Sequence, residues 1–269
     1  MRPAALLLAG LALAAGARAD DPPKPEPAKV YDFTGRVEAD TVELRPRVTG
    51  YVTKIAVKEG EAVKKGELLA EIDPRFYRIE LDRARAKLTR AEAQMKPADA
   101  KLTRLKKAVA AGTAAKEELE AAEAEREIAA AEVVLAKAEL ELADLQLSWT
   151  KIAAPMDGRV SRIHTIEGNL VRADTDVVAV VIRPDPLVVA FDVEERTFAR
   201  LREAAGKGGA LAVSVGLATE DGFPRKAEFR TADAAVDPKT GTVRLRAALP
   251  NPKGELLPGQ FVHVRVTPK

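Results

Sequence analysis

The sequence predicts an elongated, multidomain chain of mixed α and β structure. A β domain is split by an inserted antiparallel α-helical coiled-coil hairpin, and a small β-barrel follows. Three observations predict this. A β-like motif occurs twice at a constant offset of 108 residues. Between the copies, two heptad stripes mirror each other. Beyond the second copy, short alternating runs are separated by Gly and Pro turns.

Met1-Arg2 precedes an apolar run from Ala4 to Ala15, and Ala17-Arg18-Ala19 precedes Asp20. A basic start, a short apolar stretch and an A-x-A site describe a signal peptide over residues 1–19, cleaved between Ala19 and Asp20. The run falls short of the ~20 residues that span a bilayer; the alternative is an uncleaved N-terminal anchor. Residues 20–29, with Pro22, Pro23, Pro25 and Pro27, read as an extended tether. The chain has no cysteine, so export brings no disulfide.

From Val30 to Ile72, short apolar runs are punctuated by Gly35, Gly50, Gly60 and Gly66, which reads as strands joined by tight turns. The first copy of the motif runs from Val48 to Ile55 and from Glu59 to Val63. The second runs from Met156 to Ile163 and from Glu167 to Val171. Gly50/Gly158, Val52/Val160, Ile55/Ile163, Glu59/Glu167, Gly60/Gly168 and Val63/Val171 are identical pairs at the shared offset. Two copies of one supersecondary unit are implied.

Asp73-Pro74 opens the helical region. Leu81, Leu88, Met95, Leu102 and Val109 repeat every seven residues, with Ala84, Ala91, Ala98 and Leu105 three positions later. A second stripe holds Leu119, Arg126, Val133, Leu140 and Leu147, with Ala122, Ala129, Ala136 and Ala143. Facing residues of the two stripes have numbers that total 228, so the chain folds back near residue 114. Gly112 suits the left-handed position that ends the first helix, Thr113 is expected to cap the second, and Glu117 and Glu118 suit its positive end. At 1.5 Å per residue, each helix forms a rod of roughly 50 Å. Pro97 should kink or break the first helix, and Arg126, in an apolar slot, should extend its guanidinium to solvent. Ile128, Leu135, Leu142 and Trp149 form a further row on the second helix. Two readings stay open for it: packing on the first helix or the β domain, or lateral packing between neighbouring hairpins.

After Arg183-Pro184-Asp185-Pro186, a strand over Leu187–Val193 leads to a short helix over Glu194–Ala204 with Phe198 and Leu201 inward. Strands over Leu211–Leu217, Lys226–Val236, Thr242–Leu249 and Gln260–Val266 follow. Aromatic residues make up only 4% of the chain, which suits Ala- and Leu-based packing in an elongated molecule. The net charge of +2 argues against nucleic acid as a partner. His164 and His263 stand alone, Met1, Met95 and Met156 form no cluster, and no nucleophile–base pattern stands out. No catalytic, metal or cofactor site is expected.

The two halves, Val48–Val63 and Ala154–Val171, resemble the split biotinyl/lipoyl-like domain of periplasmic adaptor proteins, the membrane fusion proteins of tripartite efflux pumps. The resemblance continues through Ile72-Asp73-Pro74 and Lys151-Ile152-Ala153-Ala154-Pro155 at the hairpin base. It reaches Val188–Glu195, Val236–Val243 and Leu256–Val262 in the barrel. It implies a lipoyl-like domain without cofactor, because the hairpin replaces the turn that would display a modified lysine. Lys58, Lys64 and Lys65 are therefore not expected to be modified. It also implies homo-oligomeric rings, commonly hexamers, that join an inner-membrane RND-type transporter to an outer-membrane channel, with no enzymatic activity. The hairpin tip would meet the channel through Arg104, Gly112 and Thr113. Of the family's tip pattern only Arg104 carries over, since Ala108 and Ala115 occupy the other two places. Ile128, Leu135 and Leu142 would serve oligomer packing.

The expected division is barrel and adjoining strands from 30–46 with 183–269, lipoyl-like domain from 47–73 with 150–182, and hairpin over 74–149. The expected setting is the periplasm, at the inner membrane. An ABC-type or secretion-type adaptor is the alternative, and a stand-alone exported structural coiled-coil protein is the reading from another class.

Overall fold

The two copies of the repeat fold into each other. In the computed structural model, residues 29–205, 211–217 and 219–268 are described. The signal peptide, its Ala19–Asp20 cleavage site and nearly all of the tether lie outside the described residues. In chain order the elements are β1 (Tyr31–Glu38), β2 (Thr41–Leu44), β3 (Gly50–Ile55), β4 (Ala62–Val63), β5 (Leu68–Ile72), α1 (Arg75–Ala110), α2 (Lys116–Ser148), β6 (Lys151–Ala153), β7 (Gly158–Ile163), β8 (Leu170–Val171), β9 (Ala179–Ile182), β10 (Leu187–Glu194), α3 (Glu195–Ala205), β11 (Leu211–Leu217), β12 (Arg225–Ala232), β13 (Thr242–Leu249) and β14 (Phe261–Pro268).

β3 of the first copy pairs with β8 of the second, and β4 of the first pairs with β7 of the second. Two four-stranded sheets result, β2-β9-β7-β4 and β6-β5-β3-β8. Backbone bonds cross between the copies in equivalent pairs. Gly60 donates to the Val160 carbonyl at 2.7 Å and Gly168 to the Val52 carbonyl at 2.8 Å. Val52 donates to Asn169 and Val160 to Glu61, both at 2.9 Å.

The six repeated identities follow from this exchange. Val52, Val63, Val160 and Val171 are buried at the centre of the sandwich. Glu167 Oε1 accepts the Ile55 N–H and Glu59 Oε1 accepts the Ile163 N–H, each at 2.9 Å. Gly60 and Gly168 turn at φ of 80° and 89°, where a Cβ would crowd the carbonyl. Gly50 and Gly158 are needed for space: a Cβ would lie 2.6 Å from Ile72 Cγ2 and 2.4 Å from the Ile182 oxygen.

The barrel closes in the order β1-β10-β13-β12-β11-β14. Five C-terminal strands are thus completed by a sixth from the N-terminal side, which pairs with both β10 and β14. Leu187, Val189, Leu245 and Val264 fill its interior, and Leu201 of α3 is buried among them. β12 ends at Ala232, short of the expected Val236: its register shifts between Phe229 and Thr231, Asp233 N–H makes a last backbone bond to the Arg244 carbonyl, and the chain bends at residues 234–235. Residues 41–44, expected with the barrel, join the sandwich instead. β2 pairs with β9 and buries Leu44 in the sandwich core. The chain therefore crosses between domains at Ala39-Asp40 and again at Arg183-Pro184.

α1 and α2 pack antiparallel through the predicted layers. Leu81, Ala84, Ala91 and Ala98 are buried on α1, and Ala122, Ala129, Val133, Ala136 and Ala143 on α2. Alanine at alternate layers lets the backbones approach closely. Lys87–Glu139, Lys101–Glu125 and Lys106–Glu123 bridge the helices at 2.7, 2.6 and 3.3 Å. Pro97 does not break α1, which runs without interruption from Arg75 to Ala110. Pro97 and Ala93, whose carbonyl loses its partner, are both exposed, so the lost bond falls on the solvent side of the helix rather than in the interface. Arg126 extends out of its apolar slot and stays 39% exposed. Its Nε donates to Asp99 Oδ1 across the interface at 3.0 Å.

Candidate docking and assembly surfaces

The hairpin tip is built by the end of α1. Gly112, at φ 71°, leaves the helix, and its N–H donates to the Val109 carbonyl at 3.0 Å. Thr113 turns back on α1: its N–H and hydroxyl both donate to the Ala108 carbonyl, at 2.9 and 3.0 Å. It does not cap α2, because that helix begins three residues later, with Ala115 at the cap position and no side-chain bond to it. Glu117 and Glu118 do occupy the first turn of α2, where the helix dipole favours them. Arg104, Gly112 and Thr113 are all exposed. Arg104 lies two turns below the fold-back, and the other two form it.

Along α2, Ile128, Leu135 and Leu142 are 64, 62 and 53% exposed. They do not pack on α1, because the heptad places them on the side away from the alanine layers. Trp149, the fourth member of the row, separates from the others. It packs against the sandwich core, with the Arg47 guanidinium 5.4 Å from its ring. The apolar surface thus continues along most of α2, and the base of α1 adds exposed Phe76 and Ile79.

The base is firmly tied. Ile72 N–H donates to the Thr150 carbonyl and Asp73 N–H to the Tyr51 carbonyl, both at 2.8 Å. The Tyr77 hydroxyl donates to the Thr49 carbonyl at 2.8 Å, and burial pushes its pKa up. Asp73 Oδ1 accepts the Arg75 N–H at 3.0 Å, and the Arg75 guanidinium beside it holds the Asp73 carboxyl at a pKa of about 2. The Asp-Pro pair ahead of the heptad stripe, which marks the start of the helical region in the sequence, is thus where the helix is anchored.

Where the chain crosses between sandwich and barrel, Arg183 N–H donates to the Asp40 carbonyl and its guanidinium to the Asp40 carboxylate, both at 2.9 Å. Sequence patterns missed this clamp, since its partners lie 143 residues apart. An open cleft of about 700 Å³ beside it is lined by Lys65, Met156, Asp157 and Asp185. His164 and His263 are exposed, and among the described residues no group of three or more His, Cys, Asp or Glu is placed to hold a metal ion. No helix of the described residues is long and apolar enough to cross a membrane.

Comparisons with known proteins match this arrangement. Residues 40–183 match the model for the RND MFP barrel-sandwich hybrid domain, and residues 186–268 match the RND MFP beta-barrel domain. The chain is 34% identical over 252 residues to the multidrug efflux pump subunit AcrA of Escherichia coli K12, covering 90% of this chain and 64% of that protein. It is 36% identical to the antibiotic efflux pump periplasmic linker protein ArpA of Pseudomonas putida, over 87% of this chain and 62% of the relative. It is 31% identical to the multidrug resistance protein MdtA of Klebsiella pneumoniae, over 85% of this chain and 56% of the relative. The chain thus spans less than two thirds of the length of each. Among solved structures, a MacA-MexA chimera carrying the Pseudomonas aeruginosa MexA α-hairpin superposes with a TM-score of 0.68 at 25% identity, covering 90% of this chain and 80% of the other.

Proposed function

The chain belongs to the RND membrane fusion protein family, and we propose that it is the periplasmic adaptor subunit of a tripartite efflux pump. In this reading it links an inner-membrane RND-type transporter to an outer-membrane channel and does no bond chemistry. The observation that carries it is the hairpin. A rod of roughly 50 Å rises from the sandwich where a carrier domain would display its turn, and its length suits a spacer rather than a catalyst. Relatives named as efflux pump subunits and periplasmic linkers support the same role. The tip residues Arg104, Gly112 and Thr113 are assigned to the channel contact. Ile128, Leu135 and Leu142 are assigned to packing between copies in a ring, a hexamer by family resemblance.

The chain has no cysteine, so one introduced thiol reports one contact. Thr113→Cys, cross-linked in intact cells, should capture an outer-membrane protein, and deleting the gene should raise sensitivity to pump cargo. A full-length protein that captures nothing at the tip, in a strain whose sensitivity is unchanged by its loss, would sink the reading.

A further inference from the structure

Arg183 holds two side chains where the chain crosses between sandwich and barrel. Its Nη1 donates to Asp40 Oδ2 at 2.9 Å, and its Nη2 donates to Met156 Sδ at 3.7 Å. On the barrel side Asn251 holds the same crossing. Its N–H donates to Asp185 Oδ1 at 2.7 Å, and its side-chain amide donates to the Pro184 carbonyl at 3.0 Å. The contacts with Asp40, Asp185 and Pro184 all end on carboxylate or carbonyl oxygen. The contact with Met156 ends on a thioether, a weak acceptor.

Packing does not demand sulfur at this position. Met156 follows Val48 by 108 residues, and in the first copy Val48 fills the equivalent place with an aliphatic side chain buried in the sandwich core. Met156 is half-buried against that core. It also lines the open cleft of about 700 Å³, together with Arg183, Lys65, Asp157 and Asp185. A molecule as small as hydrogen peroxide can therefore reach it. Met95 is placed differently, packed with Ala91, Val133 and Ala136 between the two helices.

We propose that Met156 is a site of oxidation by peroxide, and that its sulfoxide oxygen takes up the Arg183 guanidinium and tightens the crossing. The thioether sulfur attacks one peroxide oxygen, and an S–O bond forms as the O–O bond breaks. Sulfur loses two electrons, and the second oxygen leaves with both peroxide protons as water. The new oxygen extends toward Arg183 Nη2, and an oxygen accepting from a cation makes a stronger bond than a thioether does. Asp40 keeps Nη1, so the sandwich gains a hold on Arg183 without giving one up. The site belongs to the domain crossing and is independent of what the hairpin tip contacts.

The test treats the folded full chain with hydrogen peroxide and follows each methionine peptide by mass spectrometry. Met156 should be oxidised well before Met95, and unfolding in urea should erase the difference. The Arg183 N–H, which donates to the Asp40 carbonyl, then reports on the crossing by hydrogen exchange. Oxidation should slow its exchange about tenfold, the effect of one charge-assisted hydrogen bond. Met156→Leu should exchange like the unoxidised parent and ignore peroxide. Met156→Gln, whose amide oxygen stands in for the sulfoxide, should exchange slowly with no peroxide added. Equal oxidation of the two methionines in the folded chain, or a preference that persists in urea, would overturn the site. Unchanged or faster exchange after oxidation, or a Met156→Gln protein that exchanges like Met156→Leu, would overturn the tightening.

Discussion

Glu59 and Glu167 occupy equivalent turns of two copies that exchange strand partners, and each carboxylate accepts an isoleucine N–H from the other copy. Glu167→Ala leaves the Ile55 N–H without that acceptor and should lower stability by about 1 kcal/mol; Glu167→Gln keeps an acceptor oxygen and should lower it less, read by urea unfolding. Gly158→Ala should cost about 1–3 kcal/mol, because its Cβ would press on the Ile182 carbonyl, which cannot swing aside. Asp73 makes a pH-dependent contribution. Its folded pKa is about 2 against an ordinary 3.8, so the stabilisation is present above the ordinary value and is lost as pH falls through about 2. Carbon NMR of the Asp73 carboxyl should show the depressed titration, and Asp73→Asn should remove that acid-range contribution at the base of α1.

The hairpin contains one residue that works against it. Pro97 removes a backbone bond from α1 without breaking the helix, since both it and Ala93 face water. Pro97→Ala should raise stability by about 1–3 kcal/mol, seen as a higher midpoint when thermal unfolding is followed by helical circular dichroism. The heptads, the fold-back and the alanine layers were all legible in sequence, because helix packing is written in local periodicity. The role of Thr113 was not. A hydroxyl near two helix ends can serve either, and only the fold-back geometry decides between the Ala108 carbonyl and α2. Arg126 is similar: nothing in its own helix names Asp99 as its partner.

In the whole molecule the hairpin leaves the sandwich between two strands that are already paired. β5 and β6 pair antiparallel across the hairpin base, with Ile72 bonded to Thr150. Replacing residues 74–149 by a short turn should therefore leave sandwich and barrel folded, with cooperative unfolding retained and most helical signal lost. Aggregation of that protein would show that the hairpin is needed to fold the base. The barrel has the opposite character. Its β1 precedes the sandwich and hairpin in the chain and its other five strands follow them, so neither part closes it alone.

Sequence by itself determined the repeat, the hairpin, the strand-rich C-terminal region and the row Ile128–Leu135–Leu142. Each is a periodic or repeated pattern, and periodicity survives without knowledge of what lies across the fold. Tertiary structure alone decided that the two copies interlock rather than stack, that β2 belongs to the sandwich while β1 closes the barrel, and that Asp40 ties to Arg183. Those outcomes depend on which backbone groups and carboxylates meet across more than a hundred residues, a distance over which local pattern carries no physical constraint.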